Sequence, residues 1–152
     1  AKQMDPKVLA EVRAIEAKKD FNNPRYMELL IPNFYQKHIC RLKEWPDALN
    51  RTFKHGNSAV YVRMQGPSEF GISGLLEKWD IKNRLKEIYV PTLMVGAKYD
   101  TMDPKYMEWM STQVQKGRSV TTNGAHCSQY DDPETYFNGL IKFIKDVDDK
   151  TF

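Results

Sequence analysis

The chain has 152 residues, enough for one domain with a sizeable core, and its 41% hydrophobic and 28% charged content is that of an ordinary globular protein. Lys plus Arg number 23 against 20 for Asp plus Glu, and the net charge of +3 is spread along the chain, without the clustered basic face that nucleic-acid binding needs. No apolar run approaches the ~20 residues that span a bilayer, and the charged opening AKQMDPKVLAEVRAIEAKKD lacks the apolar stretch of a signal peptide. These features predict a cytoplasmic protein with neither nucleic acid nor membrane as partner. Cys40 and Cys127 are too few and too far apart for a zinc site or a disulfide framework, and they read as two reduced thiols.

Helix signals dominate the first third. Asp5-Pro6 is an N-cap followed by proline at the first helical position, and Val8, Leu9, Val12 and Ile15 recur at helical spacing, predicting a helix to about Lys19. Asn23-Pro24 repeats the signal. Tyr26, Met27, Leu30, Phe34 and His38 continue one face, with Pro32 expected to bend or break the run. A third, shorter helix starts at Glu44-Trp45-Pro46-Asp47 and fades by His55-Gly56-Asn57. Ala59–Met64 is too short for periodicity to choose between strand and helix. Gln65–Phe70 is loop-like, Gly71–Trp79 carries no clear signal, and Asp80–Ile88 fits one or two helical turns.

From Tyr89 the pattern changes. Val90–Gly96 is a continuous apolar run ending in glycine, the mark of a strand buried on both faces. Asp103-Pro104 opens a helix to about Val114, Gly117–Thr122 is a second strand, and Asp132-Pro133 opens a last helix to about Val147. The order β-α-β-α describes the end of a doubly wound parallel sheet. Two parallel strands alone would leave an apolar edge open. The last third therefore predicts further strands, supplied upstream in a longer polypeptide or by another chain.

In open α/β sheets, functional side chains gather beyond the C-terminal ends of the strands. Asp100 follows the first strand and His126 the second. Adjacent strands would bring their loops together, so a carboxylate–imidazole hydrogen bond is expected, with the order of the last two members of a Ser-Asp-His triad. Taken singly, Asp100 could cap a turn and His126 could bond a loop; their joint placement favours the pair. Asp103 is the local rival for the acid and is better explained as a helix cap. A nucleophile elbow, G-x-S-x-G, occurs nowhere: Gly71-Ile72-Ser73-Gly74 has its glycine one place early, and Ser68, Ser111 and Ser128 have no better context. Cys127, beside His126, reads as a packing residue.

Several segments together resemble the proline iminopeptidases and the related tricorn-interacting aminopeptidase. They are Asn23-Pro24-x-Tyr26, Phe34-Tyr35-x-x-His38, Arg41-Leu42, Trp45-Pro46, Val60-Tyr61, Gly66-Pro67-Ser68-Glu69-Phe70, Trp79-Asp80, Pro91-Thr92-Leu93, Gly96-x-x-Tyr99-Asp100 and His126. The resemblance implies an α/β fold, the C-terminal part of an α/β-hydrolase, with residues 1–80 as a helical cap and 81–152 as the end of the core. It places the serine and oxyanion hole upstream of Ala1, so that the chain alone should be inactive. The implied reaction is release of N-terminal proline or small apolar residues from peptides or amides through an acyl-enzyme, with Asp100 and His126 catalytic and no metal or organic cofactor.

The resemblance also makes Glu69 the anchor of the substrate's free amine, a role suited to a carboxylate in a water-poor pocket. Phe70 would help line the pocket for proline or another apolar side chain. Thr101 stands where some family members carry a second amine-binding glutamate, which keeps an amino-acid amidase open as an alternative. The implied partners are a peptide or amino-acid amide and the missing N-terminal half. The alternative of another class is a non-catalytic protein-binding module.

Overall fold

The computed structural model describes residues 4–151. They fall into two compact units: one of residues up to Lys37 with Lys43–Trp79, the other of His38–Leu42 with residues from Asp80 onward.

The first unit is helical. Helix α1 (Pro6–Lys18) begins where the Asp5 carboxylate accepts from the amides of Lys7 at 2.8 Å and Val8 at 3.3 Å. It buries Val12 and Ile15 and ends on Lys19 in the left-handed region, φ 55°. Helix α2 (Pro24–Leu30) is capped by Asn23. Pro32 has no N–H to donate, and the chain adapts by widening into a π-helical turn, Ile31–Tyr35, before the single turn α3 (Gln36–His38). The buried side chains Tyr26, Leu29, Leu30, Phe34 and Tyr35 come from this stretch. Tyr26 donates to Glu16 at 2.9 Å and pairs with the buried Ser68 hydroxyl at 2.9 Å. Burial pushes its phenol up to about 12, so it stays a donor at neutral pH.

Helix α4 spans Asp47–His55 and α5 spans Ser58–Met64. The second resolves the ambiguity of 59–64 in favour of helix: Asn57 caps it by accepting from the Val60 amide at 3.2 Å. After it the chain turns at Gly66, whose φ of 115° suits glycine, and the Gln65 carbonyl accepts from Ser73 and Gly74 to close the 66–73 loop. Leu75–Lys78 is a 3₁₀ turn.

The second unit starts with a 3₁₀ turn, Lys82–Glu87, and continues through β1 (Thr92–Ala97), α6 (Pro104–Gln113), β2 (Gly117–Thr122), α7 (Ser128–Asp131) and α8 (Pro133–Asp148). The strands are parallel, in register from Thr92 opposite Gly117 to Ala97 opposite Thr122. Side chains alternate across a sheet, so the two helices can be assigned to faces. A Cβ at Gly96 would lie 3.1 Å from Pro104 and one at Gly117 would strike the Ser111 carbonyl, which puts α6 on that face. Val120 and Arg118 point the other way: Val120 meets Gly139 of α8, and Arg118 pairs with Asp146 of α8. One helix covers each face.

Val90–Gly96 was expected to be buried on both faces, yet Thr92–Val95 are only half-buried and Val90 is 64% exposed. The sheet has two strands among the described residues, and a helix on each side cannot enclose so narrow a ribbon. Half-exposed Phe137, Ile141 and Ile144 form one stripe of α8 in the same condition. No helix among the described residues is long and apolar enough to cross a membrane.

Candidate active site

The strand ladder continues past the strand ends. Lys98 donates its amide to the Thr122 carbonyl at 3.0 Å, and Tyr99 donates to Gly124 at 3.0 Å, fastening the turn after β1 to the turn after β2. Asp100 closes its turn by donating to the Ala97 carbonyl at 3.2 Å. Its side chain, 7% exposed, uses the two oxygens differently. Oδ1 accepts from the Thr101 amide at 2.6 Å, the Thr101 hydroxyl at 3.2 Å and the Met102 amide at 3.3 Å. Oδ2 lies 3.2 Å from Nδ1 of His126, whose imidazole is 43% exposed.

Asp100 therefore both caps its turn and holds an imidazole. Burial works against its charge, but the hydrogen bond and charge of His126, with the Met102 and Thr101 amides, outweigh it and hold the carboxyl below its usual value. A carboxylate can only accept, so Nδ1 carries the hydrogen and Nε2 is left as the basic nitrogen of the neutral ring. The arrangement can orient an imidazole for proton transfer and stabilise the imidazolium that results.

The histidine loop is held by side chains that sequence reasoning did not single out. Asp131 accepts from the Ala125 amide at 3.0 Å and the Arg41 amide at 2.9 Å, while Asp132 accepts from Asn123 at 2.6 Å. The signal was present in the acidic pair ahead of Pro133, but it read as a helix start alone. Gly124 has to be glycine here, because a Cβ would sit 2.1 Å from Asp131 Oδ1 and 2.9 Å from Ser128 Cβ. Gly124→Ala should displace Asp131 and destabilise the fold by about 1–3 kcal/mol, read in a urea titration.

The rivals have plain structural explanations. Asp103 caps α6 by accepting from the Lys105 amide at 2.9 Å. Ser68 is buried against Tyr26 and accepts from the Phe70 amide at 3.2 Å, and Ser111 bonds back to the Glu108 carbonyl. Ser73 closes the 66–73 loop through its amide. Cys127 is half-buried at the start of α7.

Glu69 and Phe70 lie in the first unit, whereas Asp100, Thr101 and His126 lie in the second. Glu69 is held at both ends. Its amide donates to the Tyr35 hydroxyl at 3.1 Å, and the hydroxyl of Tyr61, which the sequence marked only as part of the Val60-Tyr61 segment and a pocket-lining aromatic, donates to Oε1 at 2.5 Å. Burial, and then the hydrogen bond to Glu69 and the charge of that carboxylate, raise the Tyr61 phenol, which stays protonated and able to donate. Phe70 packs edge-on against Phe34 at 5.2 Å, with the Arg13 guanidinium 5.0 Å from its ring centre. Thr101 is engaged by Asp100. No cluster of three or more His, Cys, Asp or Glu side chains that could hold a metal occurs among the described residues.

No protein-family model matches the chain. It is 64% identical over 151 residues to the proline iminopeptidase of Flavobacterium johnsoniae, covering 99% of this chain and 51% of that protein. It is 66% identical over 155 residues to that of Elizabethkingia meningoseptica, covering 100% and 52%. The chain thus spans about half the length of these relatives. Among solved structures, that of VinJ superposes with a TM-score of 0.86 at 26% identity, covering 95% of this chain and 49% of VinJ. Proline iminopeptidase from Mycobacterium smegmatis superposes at 0.75 with 24% identity, a likeness of fold, covering 99% and 51%. On the strength of the first two relatives the chain belongs to the proline iminopeptidase family, and it carries the C-terminal part of that family's α/β-hydrolase fold.

Proposed function

We propose that this chain supplies the catalytic acid and base of a serine aminopeptidase whose nucleophile and oxyanion hole lie outside these 152 residues. The observation that carries the reading is the Asp100–His126 pair, 3.2 Å apart beyond the ends of adjacent parallel strands, in a chain of this family. In the complete enzyme (this chain with the half that it lacks relative to its relatives, in one polypeptide or as a companion), Nε2 of His126 takes the proton of the serine hydroxyl as the serine attacks the scissile carbonyl. The imidazolium, stabilised by Asp100, returns that proton to the leaving amine. A water molecule, deprotonated by the same nitrogen, then hydrolyses the acyl-enzyme. The chain alone is inactive in this reading.

Glu69 receives the ammonium of the substrate's first residue. Tyr61 supports the role, because its hydroxyl holds the Glu69 carboxylate in place for a cation. Phe70 contributes to the pocket for proline or another apolar side chain. Glu69→Gln in the complete enzyme should raise KM for proline and alanine p-nitroanilides by about 10–100-fold, the worth of one charge-assisted hydrogen bond. Unchanged turnover of both would remove Glu69 from the amine site. Thr101 favours a second reading, an amino-acid amidase, since its hydroxyl is bonded to Asp100 where some family members carry a second anionic anchor. Comparing amide with dipeptide turnover separates the two.

A further inference from the structure

His38 belongs to a segment, His38–Leu42, that packs with the second unit although the chain on either side of it packs with the first. This segment touches both loops of the Asp100–His126 pair. The His38 ring, through Nδ1, lies 2.7 Å from the carbonyl oxygen of Tyr99, the residue before Asp100. A carbonyl only accepts, so Nδ1 is the donor. The backbone carbonyl of His38 accepts from the His126 amide at 3.0 Å, and the next carbonyl, that of Ile39, accepts from Cys127 at 2.8 Å. Arg41 repeats the pattern, with its guanidinium 3.7 Å from the Tyr99 ring centre and its amide on Asp131.

We propose that His38 is a positioning residue that sets the spacing of Asp100 and His126, its ring holding one loop and its carbonyl the other. The proposal rests on the catalytic reading of that pair. The turns after β1 and β2 are joined by single backbone hydrogen bonds at Lys98 and Tyr99, and the ladder stops short of both functional side chains. Beyond it, the connections across the gap include the Asp100–His126 bond itself, the bracket from His38 and the Arg41 contacts with Tyr99 and Asp131. If the ring lets go of Tyr99, the turn that carries the carboxylate loses its His38 anchor beside the imidazole, and a displacement of about 1 Å at such a pair costs up to roughly 100-fold in rate.

The test uses the complete enzyme. His38→Phe keeps a ring of similar size and deletes the donor, whereas His38→Asn keeps an N–H donor near the position of Nδ1. His38→Ala is a second variant without the donor. The expected result is a fall in kcat of about 10–100-fold for Phe and Ala with KM unchanged, and recovery of most of it by Asn. The downfield proton resonance of His126 Nδ1 should weaken or move in Phe and Ala and return in Asn, a change that a general loss of packing would not produce selectively. Full kcat in His38→Phe overturns the proposal, and so does a loss of kcat with an unaltered His126 resonance. Asp100→Asn is measured in parallel: if it too is silent, the catalytic reading has failed and takes the bracket with it, whereas a large effect there with silent His38 variants sinks the bracket alone.

Discussion

A complete enzyme carrying His126→Ala is expected to lose kcat by on the order of 10⁶-fold, with KM for proline p-nitroanilide little changed. The size follows from what the imidazole does in the proposed mechanism. It takes the proton of the nucleophile and delivers one to the leaving amine, and a serine hydroxyl is a poor nucleophile without such a base. The residual rate comes from substrate binding and the oxyanion hole, which the substitution leaves in place. His126 is half-exposed and its backbone amide, which bonds His38, is retained by alanine. The variant should therefore melt close to the parent, which separates a catalytic loss from an unfolded protein. A loss below 100-fold would mean that another base serves.

Asp100→Asn should cost about 10⁴-fold in kcat. Asparagine fits the same space and can still accept from the Thr101 and Met102 amides, so the turn survives. What changes is the side of the pair that faces His126. An amide N–H pointed at Nδ1 favours the tautomer with its hydrogen on Nε2, the nitrogen that has to accept the proton. The fixed charge that stabilises the imidazolium is lost as well. Combining Asp100→Asn with His126→Ala should cost little more than His126→Ala alone, because groups that act as a unit are not additive.

Asp100 also makes a pH prediction. Its carboxyl is lowered from the usual 3.8, so in the folded protein it binds its proton less readily than in the unfolded chain. The stability it contributes is fully present above 3.8 and is lost as pH falls through the lowered folded value. The stability difference between the parent and Asp100→Asn should shrink over that range, measured by urea titration at a series of acidic pH values.

The parts of the fold that are legible in the sequence are those written in local chemistry. Asp5-Pro6, Asn23-Pro24 and Asp103-Pro104 announce helices because a cap and a preset φ act within three residues, and each carboxylate or amide caps as expected. The two strands and the position of Asp100 and His126 after them follow from the apolar run Val90–Gly96, the short β-rich stretch Gly117–Thr122 and the turn residues after each. Ala59–Met64 stayed ambiguous because periodicity cannot choose between strand and helix over so short an apolar run, although Asn57 was the available cap signal. Pro32 marks a disturbance without specifying its form, since a kink, a break and a π turn all accommodate a missing N–H.

Contacts that depend on distance along the chain were out of reach. Arg41 and Asp131 are 90 residues apart, and the acidic pair ahead of Pro133 signals a helix start rather than the anchor of the histidine loop. His38 stood out as the end of a helical face and as one letter of a family motif; its hydrogen bonds to the Tyr99 and His126 loops exist because a five-residue segment packs away from its neighbours in sequence. The bond from Tyr61 to Glu69 was equally hidden, because it depends on the turn at Gly66 that brings Glu69 back to Tyr61. The half-exposed strand β1 points the opposite way: its apolar residues describe a larger sheet than the two strands described.

The central claim is that these residues supply an acid and a base but not the nucleophile. It is tested most directly by reacting the complete enzyme with a serine-directed fluorophosphonate and locating the adduct by peptide mass spectrometry. One modified serine outside these 152 residues is expected, with labelling suppressed in His126→Ala. An adduct on Ser68, Ser73, Ser111, Ser128 or Cys127, or labelling indifferent to His126, would contradict it.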